Sequence, residues 1–186
     1  MLAWLYMKII GGALLIAVLA GLSPSVGAAQ DSAQAMRDLR IAFLSASGAS
    51  LGFKPTKEYP RVFGVAMDWP VDDTTATIIS ALNGSASLYT TATFGIIGGE
   101  KHESVRLAAQ SFVRNAEAYH DQAVPTRSYP YPAKGKVRFY LRTFQDVRVI
   151  DTDAASVYSS SGRYSGLFRA GHAVLTELRK VVEARR

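Results

Sequence analysis

The spacing of hydrophobic and polar positions along the chain predicts a mixture of helices and strands. Apolar residues recur every three or four positions, as on one face of a helix, over residues 33–44, 100–120 and 162–182. Alternating or continuous β-branched and apolar runs predict strands at residues 62–67, 75–82, 85–94, 136–143 and 147–150. The order α-βββ-α-ββ-α predicts the α+β class, with a central antiparallel sheet of about five strands and helices packed on it.

A tight turn at Asn83-Gly84 is the clearest local signal in the chain. It separates two apolar runs, and Asn-Gly is typical of hairpin loops because both turn residues need a positive φ. A two-residue loop predicts that Leu82 pairs with Ser85 and that Ile79 pairs with Leu88. We therefore expect Ile79 and Leu88 to lie on the same core-facing side of the sheet.

The first 28 residues have the layout of a secretory signal peptide. Lys8 is the only charged residue before Asp31, and it precedes an apolar run of residues 9–22 and a string of small residues. Cleavage after Ala28 or Ala29 leaves one domain, residues 29–186, with no stable membrane span. The conventional position of Lys8 just after Met7 also suggests that translation starts at Met7.

An uncleaved membrane anchor is the alternative interpretation of the same segment. Its apolar run is shorter than the roughly 20 residues that cross a bilayer. Both interpretations place the domain outside the cytoplasm. We expect a periplasmic or secreted protein, or in the alternative one anchored in the inner membrane.

The amino-acid composition excludes several classes of functional site and partner. The chain has 186 residues, 21 Lys and Arg against 15 Asp and Glu, a net charge of +6, and no cysteine. The absence of cysteine excludes disulfides, cysteine-ligated metals and cysteine nucleophiles. The basic excess is small and dispersed, so nucleic acid is not an expected partner. No cofactor and no metal site are predicted, since the histidines have no ligand spacing.

The order of elements from about Ala33 to Val182, together with the Asn83-Gly84 hairpin, resembles the roadblock and longin group of the profilin-like fold. The resemblance implies a small domain with a central antiparallel sheet between helices, acting as a dimerising adaptor. No residue motif is shared with that group, so the resemblance assigns no role to any individual residue.

A glycine-rich segment between a predicted strand and a predicted helix is the first candidate site. Exposed N–H groups at a helix N-terminus bind anions, and a lysine adds positive charge. The candidate ligand-binding residues are Gly95, Gly98, Gly99, Lys101 and His102. The structural alternative is that the glycines let the chain turn and pack the helix closely against the sheet.

The predicted strand 136–143 carries the second candidate site. Its alternation places Arg138, Tyr140 and Arg142 on one face, which we expect to be exposed, with Arg148 beside them on the next strand. Arginine interleaved with tyrosine suits an acidic protein surface or an anionic envelope surface. These four residues are therefore the candidate protein-interaction surface.

Catalytic chemistry receives less support from the sequence. Asp151 and Asp153 follow a strand, where paired carboxylates could act in acid–base catalysis, but turn or cap residues have the same pattern. Asp68, Asp72 and Asp73 lack the spacing of an EF-hand loop. We assign no catalytic residue. The favoured function is a non-enzymatic binding or adaptor module of the cell envelope, whose partner is another protein or a second copy. The alternatives are an anion-binding, sensor-like domain using residues 95–101, and a small hydrolase.

Overall fold

The computed structural model describes residues 26–92 and 95–184, and the side chains of all of these except 26–30. Most of the predicted signal peptide, including Met7 and Lys8, lies outside the described residues. The proposed cleavage region after Ala28 lies in the first turns of a helix that begins at Val26. Within the described ranges, no helix is both long enough and apolar enough to cross a bilayer.

Eleven helices and strands make up the described part of the chain. They are α1 (Val26–Ser45), β1 (Val62–Val71), β2 (Thr74–Ala81), β3 (Ala86–Thr90), β4 (Gly95–Ile97), α2 (Glu103–Ala118), β5 (Val124–Thr126), β6 (Lys136–Thr143), β7 (Val147–Asp153), α3 (Ala154–Tyr158) and α4 (Ser165–Glu183). Two short 3₁₀ turns lie at Ala49–Leu51 and His120–Gln122.

All strands belong to one antiparallel sheet, in the order β4-β3-β2-β1-β6-β7-β5. The α+β class with an antiparallel sheet is therefore confirmed, but the sheet has seven strands instead of about five. The two additional strands, β4 and β5, have three residues each and form the two edges. Three residues are too few to produce a recognisable period, so the sequence pattern did not indicate them.

Helices cover both faces of the sheet. The larger core lies between one face and α2, α3 and α4; its central residues include Met67, Ile78, Phe112, Phe139 and Leu178, none of which is measurably exposed. The opposite face packs against α1 through a smaller cluster of six buried residues: Leu44, Ala66, Ile79, Tyr89, Tyr140 and Val147. We call the two sides the α2/α4 face and the α1 face.

Strand β1 is longer than the sequence pattern predicted. Residues Asp68-Trp69-Pro70-Val71, which lie beyond the predicted strand of residues 62–67, continue the strand and pair with β2. The turn comes later, at Asp72-Asp73, where Asp72 has a φ of 51°. The strand was hard to predict here because the stretch contains polar residues and a proline. Its side chains nevertheless alternate, with Trp69 on the α2/α4 face and Asp68 on the α1 face.

The hairpin at Asn83-Gly84 exists, but its predicted register is wrong by one residue. Ile78 pairs with Leu88, and Ile79 pairs with Ser87. Gly84 has a φ of 86°, whereas Asn83 does not have a positive φ, so the loop has three residues and ends in a left-handed glycine. A one-residue shift reverses the faces. Ile79 therefore lies on the α1 face and Leu88 on the α2/α4 face.

Candidate functional site

The glycines of the segment 95–101 are explained by close packing against helices. A Cβ at Gly95 would lie 2.6 Å from the Sδ of Met36 on α1. A Cβ at Gly99 would lie 2.4 Å from Cγ1 of Val105 and 2.9 Å from Cδ2 of Leu178. These separations are shorter than real Cβ contacts. Gly99 therefore lets α2 and α4 pack closely against the sheet, while a Cβ at Gly95 would displace the flexible side chain of Met36.

The remaining residues of this segment lie at the entry to α2. Gly98 has a φ of 78°, a left-handed conformation that favours glycine. Lys101 is exposed, and His102 is the N-terminal cap residue of α2. The ligand-binding role of Gly95, Gly98, Gly99, Lys101 and His102 stays a prediction.

The alternation along β6 is confirmed, but the expected exposure of its arginine face is wrong. Val137, Phe139 and Leu141 are fully buried on the α2/α4 face. On the α1 face, Tyr140 is 1% exposed and Arg142 is 5% exposed. This face is covered by α1 and by an extended segment of residues 128–132, which we call the strap. The covering elements come from distant parts of the chain, and strand periodicity does not indicate them.

Arg148 is not a neighbour of the other three candidate residues. It pairs with Leu141 in the register between β6 and β7, which places its side chain on the opposite, α2/α4 face. Its Nη1 donates to the carbonyls of His120, at 3.3 Å, and Ala123, at 3.2 Å. The predicted group of four is thus divided between the two faces of the sheet.

Arg142 holds the C-terminal end of α1. Its Nη2 donates to the carbonyl oxygen of Ala46, immediately after the helix, and its guanidinium lies 5.3 Å from the ring centre of Phe63. A cation at this position is stabilised by the partial negative charge of the helix terminus. Burial lowers the pKa of Arg142.

A buried ion pair between Arg40 on α1 and Asp68 on β1 lies at the centre of the α1 face. The two side chains are 2% and 0% exposed. Both Nε, at 3.2 Å, and Nη2 of Arg40 donate to the carboxylate, and Thr77 Oγ1 donates to it at 2.5 Å. The pair therefore fixes α1 to the sheet through a charge-assisted contact with two parallel hydrogen bonds.

Burial and pairing have opposite effects on the ionisation of this pair. Burial lowers the pKa of Arg40, but the hydrogen bonds and charge of Asp68 outweigh it, and the net pKa is raised. Burial raises the pKa of Asp68, and Arg40 and Thr77 oppose that rise. The site excludes water, and each charge is tolerated there only because the opposite charge compensates it.

Side chains from α1 and β6 hold the strap by its backbone. Three successive strap carbonyls accept these hydrogen bonds. Arg40 Nη1 donates to the carbonyl of Tyr129 at 2.8 Å, and Tyr140 Oη donates to that of Pro130 at 2.6 Å. Arg138 Nη1 donates to the carbonyls of Pro130, at 3.1 Å, and Tyr131, at 3.3 Å. Within the described chain, no backbone–backbone hydrogen bond holds residues 129–132. The strap is therefore fastened by side-chain donors. We call Arg40, Arg138 and Tyr140 the cradle.

The two tyrosine rings of the strap pack against the same side chains. The ring of Tyr131 lies 4.2 Å from the guanidinium carbon of Arg40, a cation–π contact. The ring of Tyr129 meets that of Tyr140 edge-on, with centres 5.9 Å apart. Burial raises the pKa of Tyr131 and of Tyr140, so both phenols stay protonated at neutral pH.

A cleft of about 200 Å³ opens beside the strap, between β5, β6 and β7. Its lining residues are Thr126, Ser128, Pro130, Arg138, Tyr140, Val149 and Asp151. Arg138 Nη2 forms an ion pair with Asp151, whose side chain is 42% exposed against 15% for Arg138. Most small-molecule pockets are larger, about 300–1,000 Å³. The cleft suits one small polar group, such as a chain terminus or a single side chain.

The other candidate groups do not come together. Asp151 and Asp153 each pair with the cation opposite on β6, Arg138 and Lys136, so they form two cross-strand ion pairs. Of the residues the structure describes, no group of three or more His, Asp or Glu could hold a metal ion. No histidine lines the cleft.

Arg40, Asp68 and the strap carbonyls were not predicted from the sequence. The signal that points to them is weak: Arg40 follows Met36 by one helical turn, and Asp68 follows the apolar residues 62–67 of a strand. Each of these charged residues lies among apolar residues of its helix or strand, where burial of an unpaired charge is unfavourable. Only the fold shows that they meet.

Comparisons with known proteins do not identify a family for this chain. No family model, no curated protein and no solved structure matches it. The resemblance to the roadblock and longin group therefore rests on the order of elements and the Asn83-Gly84 hairpin, and the adaptor role that it implies stays a prediction.

Proposed function

We propose that this chain is a non-enzymatic binding module whose recognition site is the cleft beside the strap. The observation that carries the proposal is the Arg138–Asp151 pair, which presents a guanidinium and a half-exposed carboxylate in one cleft of about 200 Å³. Two opposite charges side by side complement a ligand that carries an ammonium or hydroxyl donor together with a carbonyl or carboxylate acceptor.

The geometry supports binding by a site that is ordered before the ligand arrives. Arg138 is held in place by Asp151 and by the carbonyls of Pro130 and Tyr131. A side chain already fixed in this way loses little conformational freedom when a ligand binds. Asp151 accepts its hydrogen bond from Arg138 at Oδ2, and its exposure leaves the other oxygen within reach of a donor from the ligand.

A binding role agrees with the chemistry of the lining groups better than catalysis does. The Tyr140 hydroxyl donates to a backbone carbonyl, and the Thr126 hydroxyl donates to the carbonyl of Ser128. Neither hydroxyl is paired with a base that could activate it as a nucleophile. In this proposal the protein is exported, as its N-terminal pattern indicates, and its ligand is part of an envelope protein or of a second copy of the chain.

Calorimetric titration of the purified full chain, in detergent, tests the proposal. The probe is glycylglycine, which carries one ammonium and one carboxylate and is small enough for the cleft. We expect saturable binding at millimolar concentration. Acetylation of the probe's amino group should weaken binding more than amidation of its carboxylate, because Asp151 is the more exposed partner.

Two substitutions on β7 distinguish binding in the cleft from a non-specific effect of removing a negative charge. Asp151→Asn should weaken glycylglycine binding by about tenfold, which corresponds to about 1.4 kcal/mol. Asp153→Asn is the matched control, because Asp153 is also paired across the strands but does not line the cleft. Undetectable binding to the unaltered protein, or equal loss in both variants, contradicts the proposal.

A further inference from the structure

The strap is bound to the rest of the protein as a separate peptide ligand would be bound. Its three successive carbonyls are occupied by the cradle residues, and its tyrosine rings pack on Arg40 and Tyr140. Protein segments are usually held by backbone ladders or by buried apolar side chains. Here Pro130 is exposed, while its carbonyl receives two donors.

The strap's own sequence explains why it is extended. A proline disfavours the helical conformation in the residue before it, so Pro130 and Pro132 keep Tyr129 and Tyr131 extended. The prolines also lack N–H groups, and the strap presents mainly carbonyl acceptors. An extended segment with this acceptor pattern complements the cradle, which consists only of donors.

Each cradle residue also has a contact that does not involve the strap. Arg40 is held by two hydrogen bonds to Asp68, Arg138 by Asp151, and Tyr140 by its place in the centre of β6. Removal of the strap would thus leave a row of donors on the α1 face. Beside them would remain the cleft-lining residues that do not belong to the strap: Thr126, Arg138, Tyr140, Val149 and Asp151.

We infer that the cradle is a docking groove for an extended, proline-containing segment of a partner protein, and that the strap occupies it as an internal substitute. The inference rests on the proposed function, since the neighbouring cleft would receive a residue adjoining the docked segment. The partner is defined by the chemistry of the strap itself: an extended backbone with free successive carbonyls, and aromatic side chains that stack on Arg40.

Exchange of the strap for a partner segment replaces each hydrogen bond with an equivalent one. The tethered strap competes at an effective concentration in the millimolar range, which weakens the docking of any external segment. A weakened strap should therefore expose the groove and raise the affinity for an external peptide.

The experiment uses a fluorescently labelled peptide, Ser-Tyr-Pro-Tyr-Pro, which copies residues 128–132. Its binding is followed by fluorescence anisotropy with the full chain in detergent, unaltered and with Tyr129→Gly, Pro130→Gly and Tyr131→Gly combined. We expect the triple variant to bind the peptide at least tenfold more tightly than the unaltered protein. The control peptide Ser-Tyr-Ala-Tyr-Ala should bind several-fold more weakly.

A milder substitution guards against failure of the triple variant to fold. Tyr131→Gly alone removes the ring over Arg40 and keeps the rest of the strap, and it should raise peptide affinity by a smaller factor. Circular dichroism and the elution volume establish that each variant is folded and monomeric. Equal affinity of the folded variants and the unaltered protein overturns the inference.

The remaining outcomes distinguish this inference from the proposed function. If glycylglycine binds at the cleft but no variant binds the peptide, the peptide inference fails and the binding function stands. If neither probe binds, both fail. A dimer that forms by exchange of straps between two copies, and that binds no added peptide, also overturns the inference.

Discussion

Replacement of Arg40 by methionine removes the cation that compensates the buried carboxylate of Asp68. Methionine keeps much of the aliphatic volume on α1, so the change acts mainly on the charge. Asp68 would remain 0% exposed and would keep a single side-chain donor, Thr77. The carbonyl of Tyr129 would lose its hydrogen bond as well.

The expected loss of stability follows from these contacts. Removal of one partner of a buried ion pair costs about 3–5 kcal/mol, because the remaining charge is uncompensated. The lost hydrogen bond to the half-buried strap adds about 1 kcal/mol. Replacement of both charges, by Arg40→Met with Asp68→Leu, leaves only Thr77 and the strap carbonyl without partners. We expect the double variant to lose about 2 kcal/mol, less than Arg40→Met alone.

Urea unfolding of the four proteins in this double-mutant cycle, followed by circular dichroism, measures the coupling. Arg114→Met is the matched control, since Arg114 pairs with Glu58 and both side chains are more than half exposed. It should cost less than about 1 kcal/mol. A cost of Arg40→Met no larger than that of the control, or additive effects in the cycle, refutes the reasoning.

Three further predictions concern the α2/α4 side of the sheet. Burial lowers the pKa of His172 below its ordinary 6.5, so the folded state binds this proton less readily than the unfolded state. Stability should be fully present above about pH 6.5 and should fall as the pH drops below it. His172→Gln should flatten that decline in urea titrations; an unchanged slope contradicts this. Gly99→Ala should lower the unfolding free energy by about 1–3 kcal/mol, because its Cβ would meet Val105. Gly166→Ala, where the nearest atom is Tyr119 Oη at 3.5 Å, should raise it by up to about 1 kcal/mol; thermal unfolding that ranks the two glycine variants in the reverse order would show the packing argument to be wrong.

Local pattern was enough to predict the class of the fold and several of its elements. The alternation of residues 136–143 predicted β6 with its observed bounds, because a strand buried on one side by apolar residues has a clear period of two. The helices α2 and α4 were predicted with shifts of a few residues at their ends. These features depend on neighbouring residues, which the sequence displays directly.

Features that depend on distant contacts were predicted poorly. The arginine face of β6 was expected to be exposed because nothing in residues 136–143 indicates that α1 and the strap cover it. The hairpin register was wrong because Leu82 joins Asn83 and Gly84 in a three-residue loop. Both faces of this sheet are apolar, so burial did not reveal the shift.

The candidate site shows the same division. Strand alternation identified Arg138 and Tyr140 as candidate site residues, but it placed them on an exposed face. Arg40 and Asp68 were missed because 28 residues separate them along the chain, and a charge on a helix or strand is usually solvated. Their pairing became visible only once α1 was placed on the sheet.

A direct test of the central claim is an NMR titration that follows the side-chain Nε–H signals of two arginines. Arg138 lines the cleft, whereas Arg148 lies on the opposite face of the same pair of strands. On addition of glycylglycine to the ¹⁵N-labelled full chain in detergent, we expect a saturable shift of the Arg138 signal and none at Arg148. Equal shifts at both arginines, or no shift at Arg138, would contradict the assignment of the cleft as the binding site.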